Sequence, residues 1–169
     1  MSAKWIGAIF VLFSCGGFGF RIAHAYRQRE RLLHQLLNTL ETMSSELEYH
    51  LTALPVLSRK ASADTSGVLR DVFANLAREL EWQSEPDAEC CMSAAVSASC
   101  LTSDTKRLLL GLGRTLGRFD LEGQLKGIDG ISREAAAELD RLTKNQDARL
   151  RSYQTLGLCA GAALAILLL

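Results

Sequence analysis

"GLGRTLGRFDLEGQ", residues 111–124, is the stretch whose reading decides the fold. Glycines at 111, 113 and 117 around an Arg-Thr pair admit two structures: a loop that cradles phosphate after a strand, or a joint between two helices. The first needs G-x-G-x-x-G behind a strand, or a Gly-Lys-Ser/Thr ending, so that backbone N–H groups and a lysine converge on the anion. Here the spacing is G-x-G-x-x-x-G, no lysine closes it, and the run ahead of it, "DTKRLLL" at 104–110, is helical in pattern. The stretch therefore reads as a helix–turn–helix joint. Gly113 and Gly117 belong to a structural turn, Gly117 is the left-handed stop of one helix, and Asp120 is the N-cap of the next.

Working outward, the same period governs the middle of the chain. Leu33, Leu36, Leu40, Met43, Leu47, His50 and Leu54 recur at spacings of three and four, widened by Leu32, Leu37 and Leu51, which predicts one long helix ending just before Pro55. A helix over about 66–82 buries Leu69, Val72, Phe73, Leu76 and Leu80. "AECCMSAAVSASC" at 88–100 is rich in small residues and suits a short helix packed close to a neighbour. Ser103 or Asp104 caps the next helix, whose inward set is Leu108, Leu109, Leu112, Leu116 and Phe119. The last helix begins near Asp120 and turns Leu121, Leu125, Ile128, Ala135, Leu139 and Leu142 inward, with Gly123, Gly127 and Gly130 read as close helix contacts. No run alternates apolar and polar residues as a half-buried strand would, so the fold class is all-α.

The ends differ in kind from this middle. "WIGAIFVLFSCGGFGF" at 5–20 and "LGLCAGAALAILLL" at 156–169 carry no charge. They approach the roughly 20 apolar residues that cross a bilayer. The expected organisation is an N-terminal transmembrane helix at 1–23, a helical bundle at 24–152 and a C-terminal transmembrane helix at 153–169. The first segment lacks the small-x-small site of a cleaved signal, and Phe13 is too bulky for a lipoprotein box around Cys15, so it reads as an uncleaved anchor. Arg21, Arg27, Arg29 and Arg31 follow the first span, and Arg141, Lys144, Arg149 and Arg151 precede the second. That places the bundle in the cytoplasm and both termini outside.

The 169 residues are 48% hydrophobic and 22% charged with no net charge, which suits a domain of modest size and argues against a nucleic-acid binder. Cys90, Cys91 and Cys100 would lie in a reducing compartment with no histidine nearby and read as small buried thiols; Cys15 and Cys159 fall in the apolar ends. His50 takes a seam position as an interior or boundary histidine, and His24 and His34 are not at chelating spacing. No residue is assigned to catalysis, a metal or a cofactor. Glu46 and Tyr49 share a helix face. They either reach the turn at 117 by hydrogen bonds, or Tyr49 packs in the core with a wet hydroxyl. Arg114, Arg118, Asp120 and Gln124 cluster at the turn, where exposed side chains are free to recognise a partner.

"GRTLGRFDLEGQ" with Leu116, Gly117, Asp120 and Gln124, "SELEYHLTALP" with Glu46, Leu47, Tyr49 and Pro55, and "SYQTLGLCAG" with Tyr153, Leu156, Gly157 and Gly161 together resemble the signature segments of the stage III sporulation protein AB family. The order and spacing of the three carry the resemblance along the whole chain. It departs in "CCMSAAVSAS", where the family often has a tryptophan, and in the glycine-rich start of the last helix. The resemblance implies a part in endospore formation, in the mother-cell membrane facing the forespore. The implied setting is a secretion-like complex with other stage III membrane proteins, driven by a cytoplasmic ATPase, the stage III sporulation protein AA. It also implies a bundle similar to the cytoplasmic domain of type II secretion inner-membrane platform proteins. A non-enzymatic scaffold is the leading function expected; the alternative is a membrane enzyme acting on lipid or peptide, for which no nucleophile-base or paired-carboxylate constellation is visible.

Overall fold

The computed structural model describes residues 26–83 and 87–144 in full, and of 2–25 and 145–168 gives only the helical course. All regular structure among the described residues is helical. α1 spans Ser2–His50, α2 Leu54–Asp64, α3 Val68–Trp82, α4 Ala88–Ser97, α5 Ser103–Thr115 and α6 Leu121–Leu168. Two compact units are distinguished, one of 32–139 and one of 1–31 with 140–169. The first is the bundle. Among the described residues no helix is long and apolar enough to cross a membrane. The segments expected to do so, 1–23 and 153–169, lie outside the described residues, as do Cys15, His24 and Cys159.

The bundle core follows the periodicity closely. On α1, Leu33, Leu36, Leu40, Met43 and Leu47 are buried, and Leu69, Val72, Phe73, Leu76 and Leu80 form the buried face of α3. Each fully buried leucine or phenylalanine contributes about 1.5–3 kcal/mol by leaving water, so this stripe dominates the stability of the bundle. α3 packs on α2 and on α4, and α4 packs on α5. The buried hydroxyls do not interrupt the core, because Thr39, Ser58 and Thr65 each donate to the carbonyl four residues back, at 2.8–2.9 Å.

Several expectations are corrected. α1 stops at His50, where Leu51 takes a left-handed backbone with φ of 49° and is exposed. Leu51 thus leaves the stripe it seemed to widen, and His50 is exposed rather than at a seam. Pro55 does not end a helix. It stands in the first turn of α2, where its missing N–H loses no intrahelical bond and its fixed φ suits the helix. α2 was therefore hidden, and Leu54 belongs to it. The N-cap of α5 is Thr102, one residue before the expected pair, and its hydroxyl lies 3.0 Å from that of Thr105. Phe119 and Leu121 are exposed rather than inward, and Ile131 takes a place in the α6 core that the periodicity did not assign. Among the described cysteines, Cys91 is buried, and Cys90 and Cys100 are exposed.

The small residues of α4 let α5 approach it closely. A Cβ on Gly113 would fall 2.6 Å from Met92 Cβ and 3.1 Å from the Ala88 carbonyl oxygen. Gly113 is therefore a buried packing glycine inside α5 and not part of a turn. Gly127 makes the equivalent approach of α6 to α5, since an added Cβ would collide with Thr115 Cγ2. Gly130 has nothing near it, and Gly123 touches only the Phe119–Asp120 entry to its own helix.

Candidate functional site

The α5–α6 joint has the predicted construction. Leu116 ends α5 with its N–H bonded to the Leu112 carbonyl, and Gly117 follows at φ of 73°, the region where a Cβ is strained. Asp120 then caps α6, its Oδ1 accepting from the Gly123 N–H at 3.1 Å. Gln124 folds back and donates from Nε2 to the Phe119 carbonyl at 2.8 Å. Asp120 and Gln124 thus both hold the turn they stand in.

The two arginines converge on one carboxylate that the sequence did not suggest. Arg114 Nε donates to Glu89 Oε1 at 2.9 Å, and Arg118 lies 3.3 Å from Glu89 Oε2. Glu89 is in the first turn of α4, where the helix dipole favours a negative charge, and Asp87 accepts from its backbone N–H at 3.0 Å. The signal was present in "PDAE", an Asp cap with a first-turn Glu, though its partners lie 25 and 29 residues away. Both arginine side chains are more than two-thirds exposed, so the pairs contribute little stability, on the order of 0–1 kcal/mol.

The "SELEYHLTALP" segment forms a second joint, between α1 and α2. Glu46 Oε2 accepts from Lys60 Nζ at 2.7 Å and from the Thr52 hydroxyl at 2.9 Å, while its backbone carbonyl accepts from the Thr52 N–H. The hydrogen bond from Lys60, with that from Thr52 beside it, holds the Glu46 carboxyl below the usual carboxylate range. Tyr49 is 74% exposed, which removes it from the core. The two joints adjoin each other. A Cβ on Gly117 would stand 3.5 Å from Leu54 Cδ2 and 3.9 Å from Ala88 Cβ. The start of α2, the start of α4 and the α5–α6 turn therefore meet at one end of the bundle.

Arg114, Arg118 and Glu89 place charged groups on this end of the bundle. Among the described residues no group of His, Cys, Asp and Glu is placed to hold a metal ion. Burial pushes the Cys91 thiol up, with Glu79 adding to the effect, so it is held as the inert thiol.

Comparison with known proteins bears on the whole chain. Residues 4–169 match the family model for stage III sporulation protein AB. Stage III sporulation protein AB of Bacillus subtilis (strain 168) is 25% identical over 170 residues, covering 98% of this chain and 99% of that protein. A solved structure of a stage III sporulation protein AB superimposes with a TM-score of 0.63 at 21% identity, over 72% of this chain and 98% of the other. That likeness shows the fold.

Proposed function

The chain belongs to the stage III sporulation protein AB family, and from that premise we propose that it is a non-enzymatic membrane scaffold of endospore formation. In this reading the segments at 1–23 and 153–169 anchor it in the mother-cell membrane facing the forespore, with both termini outside. The bundle lies in the cytoplasm and docks the secretion-type ATPase of the sporulation complex, the stage III sporulation protein AA, to other stage III membrane proteins. The observation that carries the docking end is the meeting of the two joints: Gly117 lies against Leu54, so the two cytoplasmic segments that resemble the family's signature fold into one surface. Arg114 and Arg118 stand on that surface, and their shared contact with Glu89 orients them without burying them.

The test separates recognition from folding. Arg114→Ala removes a surface ion pair of small energy, so thermal unfolding of the full chain should be nearly unchanged while binding of the ATPase and spore formation fall. Asp120→Asn, which still caps, should spare both. Full ATPase binding by a combined Arg114→Ala and Arg118→Ala variant would reject this end as the docking surface. Metal- or cysteine-dependent hydrolysis of lipid or peptide by the purified chain would reject the scaffold.

A further inference from the structure

The end of the bundle made by the two joints is also where apolar surface is left uncovered. Among the described residues the large apolar side chains that remain exposed are Tyr49, Leu51, Val56, Trp82, Phe119 and Leu121. Tyr49 and Leu51 lie at the α1–α2 joint and Val56 in the first turn of α2. Phe119 and Leu121 lie at the α5–α6 joint, where Gly117 stands against Leu54 and Ala88. Trp82 is the last residue of α3, and the ion pair of its neighbour Glu81 with Arg59 sets that helix end beside the start of α2. All six therefore gather at one end, whereas the exposed residues of the α2–α3 and α4–α5 turns are small. Three aromatic side chains, each able to bury about 150–250 Å², reach the size, on the order of 300–600 Å², at which an exposed apolar patch marks an interaction site.

We propose that this end docks a protein whose contact face is apolar and rimmed by Lys and Arg. That chemistry rests on the reading of this end as a docking surface, and charge complementarity selects it. The cations bordering the patch are each held by a carboxylate of the chain: Arg59 by Glu81, Lys60 by Glu46, Arg114 and Arg118 by Glu89, and Lys126 by Glu122. Arg78 donates to Asn75, back along α3. Glu48, next to Tyr49, and Glu79, one turn before Trp82, have no cation as partner among the described residues. Asp87 and Asp120 add two more carboxylates, which accept only from backbone N–H groups. The bundle unit as a whole, 32–139, holds sixteen acidic and ten basic residues. A surplus of acid repels an anionic bilayer, a nucleic acid and a second copy of the same end. Exposed Trp and Tyr beside it are the side chains that anchor protein interfaces.

The test puts the photocrosslinker p-benzoylphenylalanine into the full chain in place of Tyr49, Trp82 or Phe119, with the exposed Arg70 near the start of α3 as the control position. Sporulating cells are irradiated and the crosslinked peptides sequenced by mass spectrometry. Adducts several-fold above the control are expected on one partner protein, at apolar residues with Lys or Arg within about four positions, one helical turn. No excess over the control overturns the proposal, as do adducts confined to lipid, to a second copy of this chain or to acid-flanked peptides. The partner's identity keeps the two readings apart. Basic-flanked adducts on a protein other than the ATPase uphold this chemistry and sink the ATPase assignment, whereas acid-flanked adducts on the ATPase do the reverse. With the captured partner purified, Tyr49→Ala and Trp82→Ala together should raise koff about tenfold at an unchanged unfolding midpoint, because both side chains are exposed. Glu48→Lys should slow association, most strongly at low salt. An unchanged koff in the first variant, or faster association in the second, overturns the proposal.

Discussion

At the scale of single residues, close approach and hydrogen bonding decide more than polarity does. Gly113 sits where Met92 and the Ala88 carbonyl leave no room for a methyl group. Gly113→Ala should therefore lower stability by about 1–3 kcal/mol through overpacking, read as a reduced midpoint in denaturant, even though Ala is the better helix former. Glu46 gives a pH signature. Its folded-state pKa is depressed by Lys60 and Thr52, so the stability it adds is present above the ordinary carboxylate range and is lost as pH falls through the lowered value. Glu46→Gln should flatten the acid limb of the melting temperature against pH while leaving neutral-pH helicity intact; an unchanged acid limb would show that the carboxylate does not hold the α1–α2 joint. Asp120 and Gly117 were legible in the sequence because both act on neighbours within three or four residues. Glu89 was not, because its two arginines come from a distant helix end and no local pattern announces a pairing across that separation.

At the scale of elements, periodicity located every long apolar face and failed at the joints. The α1 stripe through Leu47 is correct to the residue, but the same arithmetic carried it on through Leu51 and Leu54. Apolar spacing cannot register a reversal of backbone handedness, and Pro55 suits a helix start as well as a helix stop. The exposed, left-handed Leu51 makes a direct prediction. Leu51→Gly removes a left-handed penalty of about 1–2 kcal/mol and loses little burial, while glycine adds entropy to the unfolded chain. A net gain of up to about 1 kcal/mol is expected in chemical denaturation, and a loss of more than that would mean the leucine side chain has a structural partner. The α4–α5 contact was readable in outline: a helix of Ala, Ser and Cys has nothing to bury but its closeness to a neighbour.

At the scale of the whole molecule, the all-α bundle was legible because a period of three and four runs through its long apolar faces. The anchored reading predicts that Ser66, exposed in the turn between α2 and α3, faces the cytoplasm. In a chain whose native cysteines are replaced, Ser66→Cys should resist an impermeant thiol reagent in intact cells and react after permeabilisation; labelling in intact cells would invert the topology. The polar end made by the two joints was only half visible. Each joint carried its own signature, but their adjacency depends on the order in which α2, α3, α4 and α5 pack, which no single segment encodes.

The contact of Gly127 with Thr115 ties the mutational histories of two positions together. The pair occupies one volume, so a side chain at 127 is admissible only where 115 has given up its γ-methyl. Gly127→Ala alone should be a loss, and Thr115→Ser a mild change, yet the double variant should recover part of what the first one lost. Relatives with a larger residue at the first position are then expected to carry a smaller one at the second, and a suppressor selection begun from Gly127→Ala should return to position 115.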